Sequence, residues 1–175
     1  MANPIDILAS KTKGVEKSMQ AHREGLVGVF QTLAKQHGEV AALIDHVKRD
    51  EHKRTSLWPK IRVALMAHEH GELDAVYPAL GRYHGLAPYI ARHAQEAAQL
   101  EATIQQLDAM AMTGPEWGRL FVTLGDLVVD HANEEEAEIF PAAMNAIGAE
   151  RAKELDHDYA AAHKQAKANA EREKH

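Results

Sequence analysis

Residues 61–80, IRVALMAHEHGELDAVYPAL, and residues 124–143, LGDLVVDHANEEEAEIFPAA, share one skeleton. His68, Glu72, Tyr77, Pro78 and Ala79 of the first recur in register as His131, Glu135, Phe140, Pro141 and Ala142 of the second. A spacing of four is about one helical turn, so each His and Glu share a helix face, about 6 Å apart along the axis. Both pairs continue an apolar stripe: Ile61, Leu65, His68, Glu72 and Val76 in one segment, Leu124, Val128, His131 and Glu135 in the other. These are core positions. An isolated ionised carboxylate in a core costs several kcal/mol unless a cation or a full set of donors meets it, and no Lys or Arg lies on either stripe.

Outward from these segments the chain repeats apolar residues at three and four, with no strand-length alternation, and so reads as all-α. A first helical region from about Asp6 to Arg54 carries Phe30, Leu33, Ala41, Ile44 and Val47 on one stripe, with Gly14, Gly25 and Gly28 as points where it can break. The second helix has Ser56 as a cap, Pro59 in its first turn and Pro78 near its end. Pro88 opens a third, with Ile90, His93, Ala97, Leu100, Ile104 and Leu107 inward, closing near Gly114. A fourth begins at about Pro115 and ends at Pro141. Four principal helices with short connections predict an up-down-up-down four-helix bundle over residues 1–147. Residues 148–175 form a C-terminal helical tail with Leu155 and Tyr159 as its sizeable apolar anchors, expected to dock loosely.

A metal is the economical counter-ion for the two buried carboxylates. His37, continuing Phe30 and Leu33, and His93, continuing Ile90, occupy matching core positions. His22 and His46 compete with His37 for the first-helix role, but His22 lies on the Gly-interrupted segment and His46 falls off the stripe. Four imidazoles and two carboxylates suit iron, manganese or zinc and match calcium or magnesium poorly. Six ligands exceed one tetrahedral zinc site and fit two bridged ions, with a hydroxide or a further carboxylate, Glu69 or Glu96, balancing the charge. Both acids are placed evenly between partners of the ligands and surface charge. His70, His52, His157, His163 and His175 read as outward-facing, Glu134, Glu136 and Glu138 as a charged flank, and Tyr77 and Phe140 as packing residues.

Composition narrows the function. The 175 residues are 45% hydrophobic and 26% charged, which suits one folded domain. There is no Cys, which excludes disulfides, thiolate metal sites and iron-sulfur clusters. Apolar runs are short, as at residues 63–67, and the N-terminus lacks a basic-then-apolar pattern, so the reading is a soluble cytoplasmic protein without a membrane partner. A net charge of −6 with no basic cluster disfavours nucleic acid. The zinc-protease string fails because Glu72 stands where its second His belongs, and the Glu-x-x-His of ferritin-like oxidases occurs only at Glu154 to His157.

The His, His-x3-Glu-aromatic-Pro, His, His-x3-Glu-aromatic-Pro order over about residues 30–145 resembles the hemerythrin family, in its bacterial HHE cation-binding branch. The resemblance implies that His37, His68, Glu72, His93, His131 and Glu135 ligate a non-haem di-iron centre, with the two carboxylates and an oxo or hydroxo group bridging. Oxygen-carrying relatives have a further His where this chain has Ala97, and place the fourth-helix acid at the position of Glu136 rather than Glu135. Iron-sensing relatives use an acid directly after the second-helix His, as at Glu69. The resemblance therefore implies a di-iron protein that binds oxygen, peroxide or a similar small ligand as sensor, scavenger or buffer. A di-iron peroxidase or oxidase and a metal-free helical interaction module are the alternatives, and the sequence leaves the oligomeric state open.

Overall fold

The computed structural model describes residues 2–173. They form helices α1 (Pro4–Arg23), α2 (Val29–Arg49), α3 (Arg54–Gly71), α4 (Tyr77–Leu80), α5 (Ala87–Asp108), α6 (Pro115–Glu134) and α7 (Phe140–Arg172), and no strand appears among them. No helix among the described residues is long and apolar enough to cross a membrane.

The expected first helical region is two helices. Asn3 caps α1, accepting from the Ile5 N–H at 3.0 Å, with Pro4 in the first turn. The chain breaks at Gly25 and Gly28, both at positive φ, and α1 folds back along α2. The second helix begins at Arg54 after a 3-10 turn over Glu51–Lys53, where Asp50 caps the turn by accepting from the His52 N–H. Ser56 and Pro59 therefore lie inside α3 rather than at its start. The third helix stops at Asp108, short of Gly114, because Trp117 Nε1 donates to the Leu107 carbonyl and Asp108 accepts from Trp58 Nε1 and Arg62 Nε.

Pro78 lies near the end of its helix, as expected, with α4 closing at Leu80, whereas Pro141 does not end its own. Each follows a π-helical turn, Glu72–Val76 and Glu135–Ile139, in which the N–H of Tyr77 or Phe140 donates to the Glu carbonyl five residues back. The wider turn occurs where a proline ring would otherwise crowd the carbonyl four residues before it. Helix α7 then continues through Pro141 to Arg172, kinked at Gly148 with φ of 75°. The part beyond the kink is not loosely docked: Ala152, Leu155, Tyr159, Ala166 and Ala170 are buried, and α7 packs along α3. His175 lies outside the described residues.

The apolar core is in two pieces. One holds Ile44, Trp58, Ile61, Ile104, Trp117 and Phe121, and the other Phe30, Leu33, Val76, Leu80, Ile139 and Phe140. Helices α2 and α5 pass from the second piece to the first, while α3 and α6, with their π turns, pass from the first to the second. Between the pieces, on all four helices, lies a polar layer.

Candidate metal centre

That layer gathers all six sequence-identified residues and adds Glu69. Glu72, Glu135 and His93 are 0% exposed, and His37, His68, Glu69 and His131 are also buried. His37, His68 and Glu135 form one group, and Glu69, Glu72, His93 and His131 a second, each with its donor atoms within 4.8 Å of one another. Helix α2 supplies His37, α3 His68 and Glu69, α5 His93 and α6 His131, while the π turns begin at Glu72 and Glu135. His22 is exposed and His46 lies by Asp6 at 3.4 Å, both away from the layer.

The Nε2 atoms of His37 and His68 face each other at 3.1 Å, and His37 Nε2 stands 3.1 Å from Glu135 Oε2. Glu72 Oε2 is 3.4 Å from His68 Nε2 and 3.2 Å from His93 Nε2. Glu135 lies 3.5 Å from both His93 Nε2 and His131 Nε2. Glu72 and Glu135 thus each stand between an imidazole of one group and an imidazole of the other. Glu69 reaches His131 Nε2 at 3.5 Å and His93 Nε2 at 3.8 Å.

Three of the four outward nitrogens are held, and His93 Nδ1 is buried without a hydrogen-bond partner. His37 Nδ1 donates to Glu136 Oε1 at 2.9 Å, His68 Nδ1 to Gln36 Oε1 at 2.8 Å and His131 Nδ1 to Glu96 Oε2 at 2.9 Å. A neutral imidazole whose Nδ1 carries the proton keeps its Nε2 lone pair for the interior, which is the form a metal takes. Glu96 is therefore a partner of His131. Glu136 is no surface flank: it also accepts from Lys17 of α1 at 2.6 Å. Tyr77 does more than pack, since its hydroxyl donates to Glu135 Oε1 at 2.6 Å and its ring stacks on His93. Phe140 packs, against Phe30 and the His37 ring. From α7, Tyr159 donates to the same Gln36 oxygen that His68 uses, and His163 is half-buried beside the Tyr159 ring rather than solvent-facing. His52 and His157 are exposed, and His70 is half-buried within 3.6 Å of Glu101.

The protein's own charges leave this layer in conflict. Burial, then Glu135 and Glu69, push the Glu72 carboxyl well above its ordinary range, and burial raises Glu69 too. Burial lowers His68 and His93. Burial also opposes charge on His37, yet Glu135 and Glu136 lift it to about 10, and Glu135 and Glu69 lift His131 to about 9 against the same burial. Glu135 is held well below the usual carboxylate range, since His131 and His37 outweigh its own burial. Even so, Glu69 Oε2, Glu72 Oε1, His131 Nε2 and Glu135 Oε2 have no hydrogen-bond partner. Each such buried atom costs on the order of 1–3 kcal/mol. Four imidazoles, three carboxylates and unpartnered inward donors fit a pair of transition-metal ions.

Fold and site together define a cation-binding helical domain, and residues 28–143 match the family model of the Hemerythrin HHE cation binding domain. The chain belongs to that family. It is also 22% identical, over 138 residues, to a DNA nickase from Nostoc sp., a match covering 78% of this chain and 39% of the relative. The chain thus spans about two fifths of that relative's length. No solved structure matches the chain.

Proposed function

We propose that this protein holds a dinuclear non-haem iron centre and binds oxygen or a related small ligand there, as a sensor, scavenger or buffer. The observation that carries the reading is the convergence of buried carboxylate and imidazole atoms left without hydrogen-bond partners. A metal-free interaction module would need those atoms paired with one another. His37, His68 and Glu135 would hold one ion and Glu69, Glu72, His93 and His131 the other, with Glu72 and Glu135 standing between the two groups. Two divalent ions bring four positive charges against three carboxylates, so a single hydroxide completes neutrality. Iron held there would supply the redox chemistry that oxygen capture needs.

The chain's own residues do the rest. Glu136, Gln36 and Glu96 fix the imidazole tautomers, and Tyr77 orients Glu135 by donating to it. Leu65, Leu124 and Val128 are buried, and Leu65 and Val128 give the space beside the layer apolar walls. Helices α2, α3, α5 and α6 are proposed as the up-down-up-down bundle, supported by the alternating order in which they cross the two apolar clusters. Ala97, buried where oxygen carriers have an imidazole, favours oxidase or peroxidase turnover as the second reading. The DNA nicking named for the Nostoc protein is not carried over, because a net charge of −6 opposes a phosphate backbone. We place the protein in the cytoplasm, in keeping with its lack of cysteine.

The visible spectrum of the anaerobically reduced, iron-loaded protein tests this reading. A band that appears with air and disappears on its removal supports a binder. Irreversible change with turnover of peroxide and a reductant moves the function to the enzyme, and a spectrum indifferent to oxygen contradicts both.

A further inference from the structure

A cavity of about 520 Å³ leads from the surface to the polar layer. His37, His68, Glu69 and His131 line its inner end. Dioxygen or peroxide is a two-heavy-atom ligand, whereas cavities of roughly 300–1,000 Å³ are the size that encloses organic ligands. Between the inner end and the mouth the walls are aliphatic: Val40, Leu43, Val63, Leu65, Leu100 and Val128. The mouth is cationic in a chain whose net charge is −6. Exposed Lys11, Lys35, Lys60 and Lys167 line it against Glu39 and Glu171, and Glu39 is already met by Lys11 at 2.9 Å and Lys35 at 3.9 Å. Helix α1 contributes Ile7, Ser10 and Lys11, and the end of α7 contributes His163, Lys167 and Glu171. Both lie outside residues 28–143, so the flanking helices build the mouth around the family's domain.

We propose that this cavity binds an amphipathic organic carboxylate, its head among Lys35, Lys60 and Lys167 and its apolar chain along the aliphatic walls, with the chain's far end against the His/Glu layer. The apolar walls gain from burying methylenes, and the lysines focus an anion toward an entrance that the rest of the acidic surface repels. What happens to the chain's far end rests on the metal-centre reading; the binding does not.

Calorimetric titration of the 175-residue chain with hexanoate, octanoate, decanoate and 1-decanol, iron-loaded and after chelation, tests the inference. Affinity for the carboxylates is expected to rise about fourfold per methylene. A Lys60→Ala, Lys167→Ala double variant should weaken decanoate by roughly tenfold and leave decanol unchanged. Ala64→Phe, a half-buried wall position, should abolish decanoate binding with helix content and iron content intact. Absence of carboxylate binding at millimolar concentration in iron-replete protein overturns the proposal, and so does decanoate binding that neither variant changes. Decanoate binding to a chain that never retains metal supports the cavity and contradicts the metal centre.

Discussion

Glu69 and His68 are neighbours in sequence and serve different sides of the layer. About 100° of helix separates them, so His68 faces His37 on α2 while Glu69 faces His93 and His131 on α5 and α6. Replacing Glu69 with Ala should lower bound metal from about two ions per chain to about one, as read by elemental analysis, because the second group loses a carboxylate that no neighbour replaces. Tyr77→Phe removes the one hydroxyl donated to Glu135 and should cost about 1–3 kcal/mol by denaturant midpoint. The metal-free protein should lose stability as pH rises from 7 toward 10. The folded-state pKa values of His37, about 10, and His131, about 9, lie above the unfolded value of 6.5, so their contribution is full below 6.5 and fades through those values. His68 and His93, lowered by burial, are neutral in both states above pH 7 and do not offset it. Metal loading should remove this decline, since it requires the imidazoles neutral, and thermal melts across that range check both arms. The six ligand candidates were legible because each continues an apolar stripe; Glu69, Glu96 and Glu136 were not resolved, because their roles depend on which helix stands opposite.

The π turns set the geometry at the next scale. Each begins at a buried Glu and precedes an aromatic-Pro pair, so the repeated string is also a repeated backbone distortion. The string was visible in the sequence, while its geometry was not: a proline signals a helix end equally well, and only the N–H donated five residues back distinguishes a widened turn. The C-terminal helix hides its packing in the sequence for a related reason. Its alanines look like weak anchors, yet Ala152, Ala166 and Ala170 allow close approach to the rest of the fold, and Leu155 and Tyr159 are buried with them. Tyr159→Ala should therefore cost about 3–5 kcal/mol in unfolding experiments, a loss a frayed tail would not show. Tyr159→Phe should cost about 1 kcal/mol, for the bond to Gln36 alone.

Across the whole molecule, two apolar clusters clamp a layer that would be unfavourable by itself. Trp117, Phe121 and Ile61 on one side and Phe30, Phe140 and Leu80 on the other hold the helices in place while buried acids and imidazoles face each other. A cation that binds only this arrangement stabilises it by mass action, about 4 kcal/mol at a thousandfold excess over Kd, so chelation should lower the melting temperature by roughly 8–16 °C. The all-helical class was legible from periodicity and the break at Gly25 and Gly28 from the glycines themselves, whereas the return of α1 along α2 was not, because flanking helices declare their partners only through packing. The central claim is that the buried layer is a two-metal site. Elemental analysis of protein purified without added metal tests it most directly: about two iron ions per chain is the result expected from seven convergent donors, and a stably folded chain with no bound transition metal would contradict it.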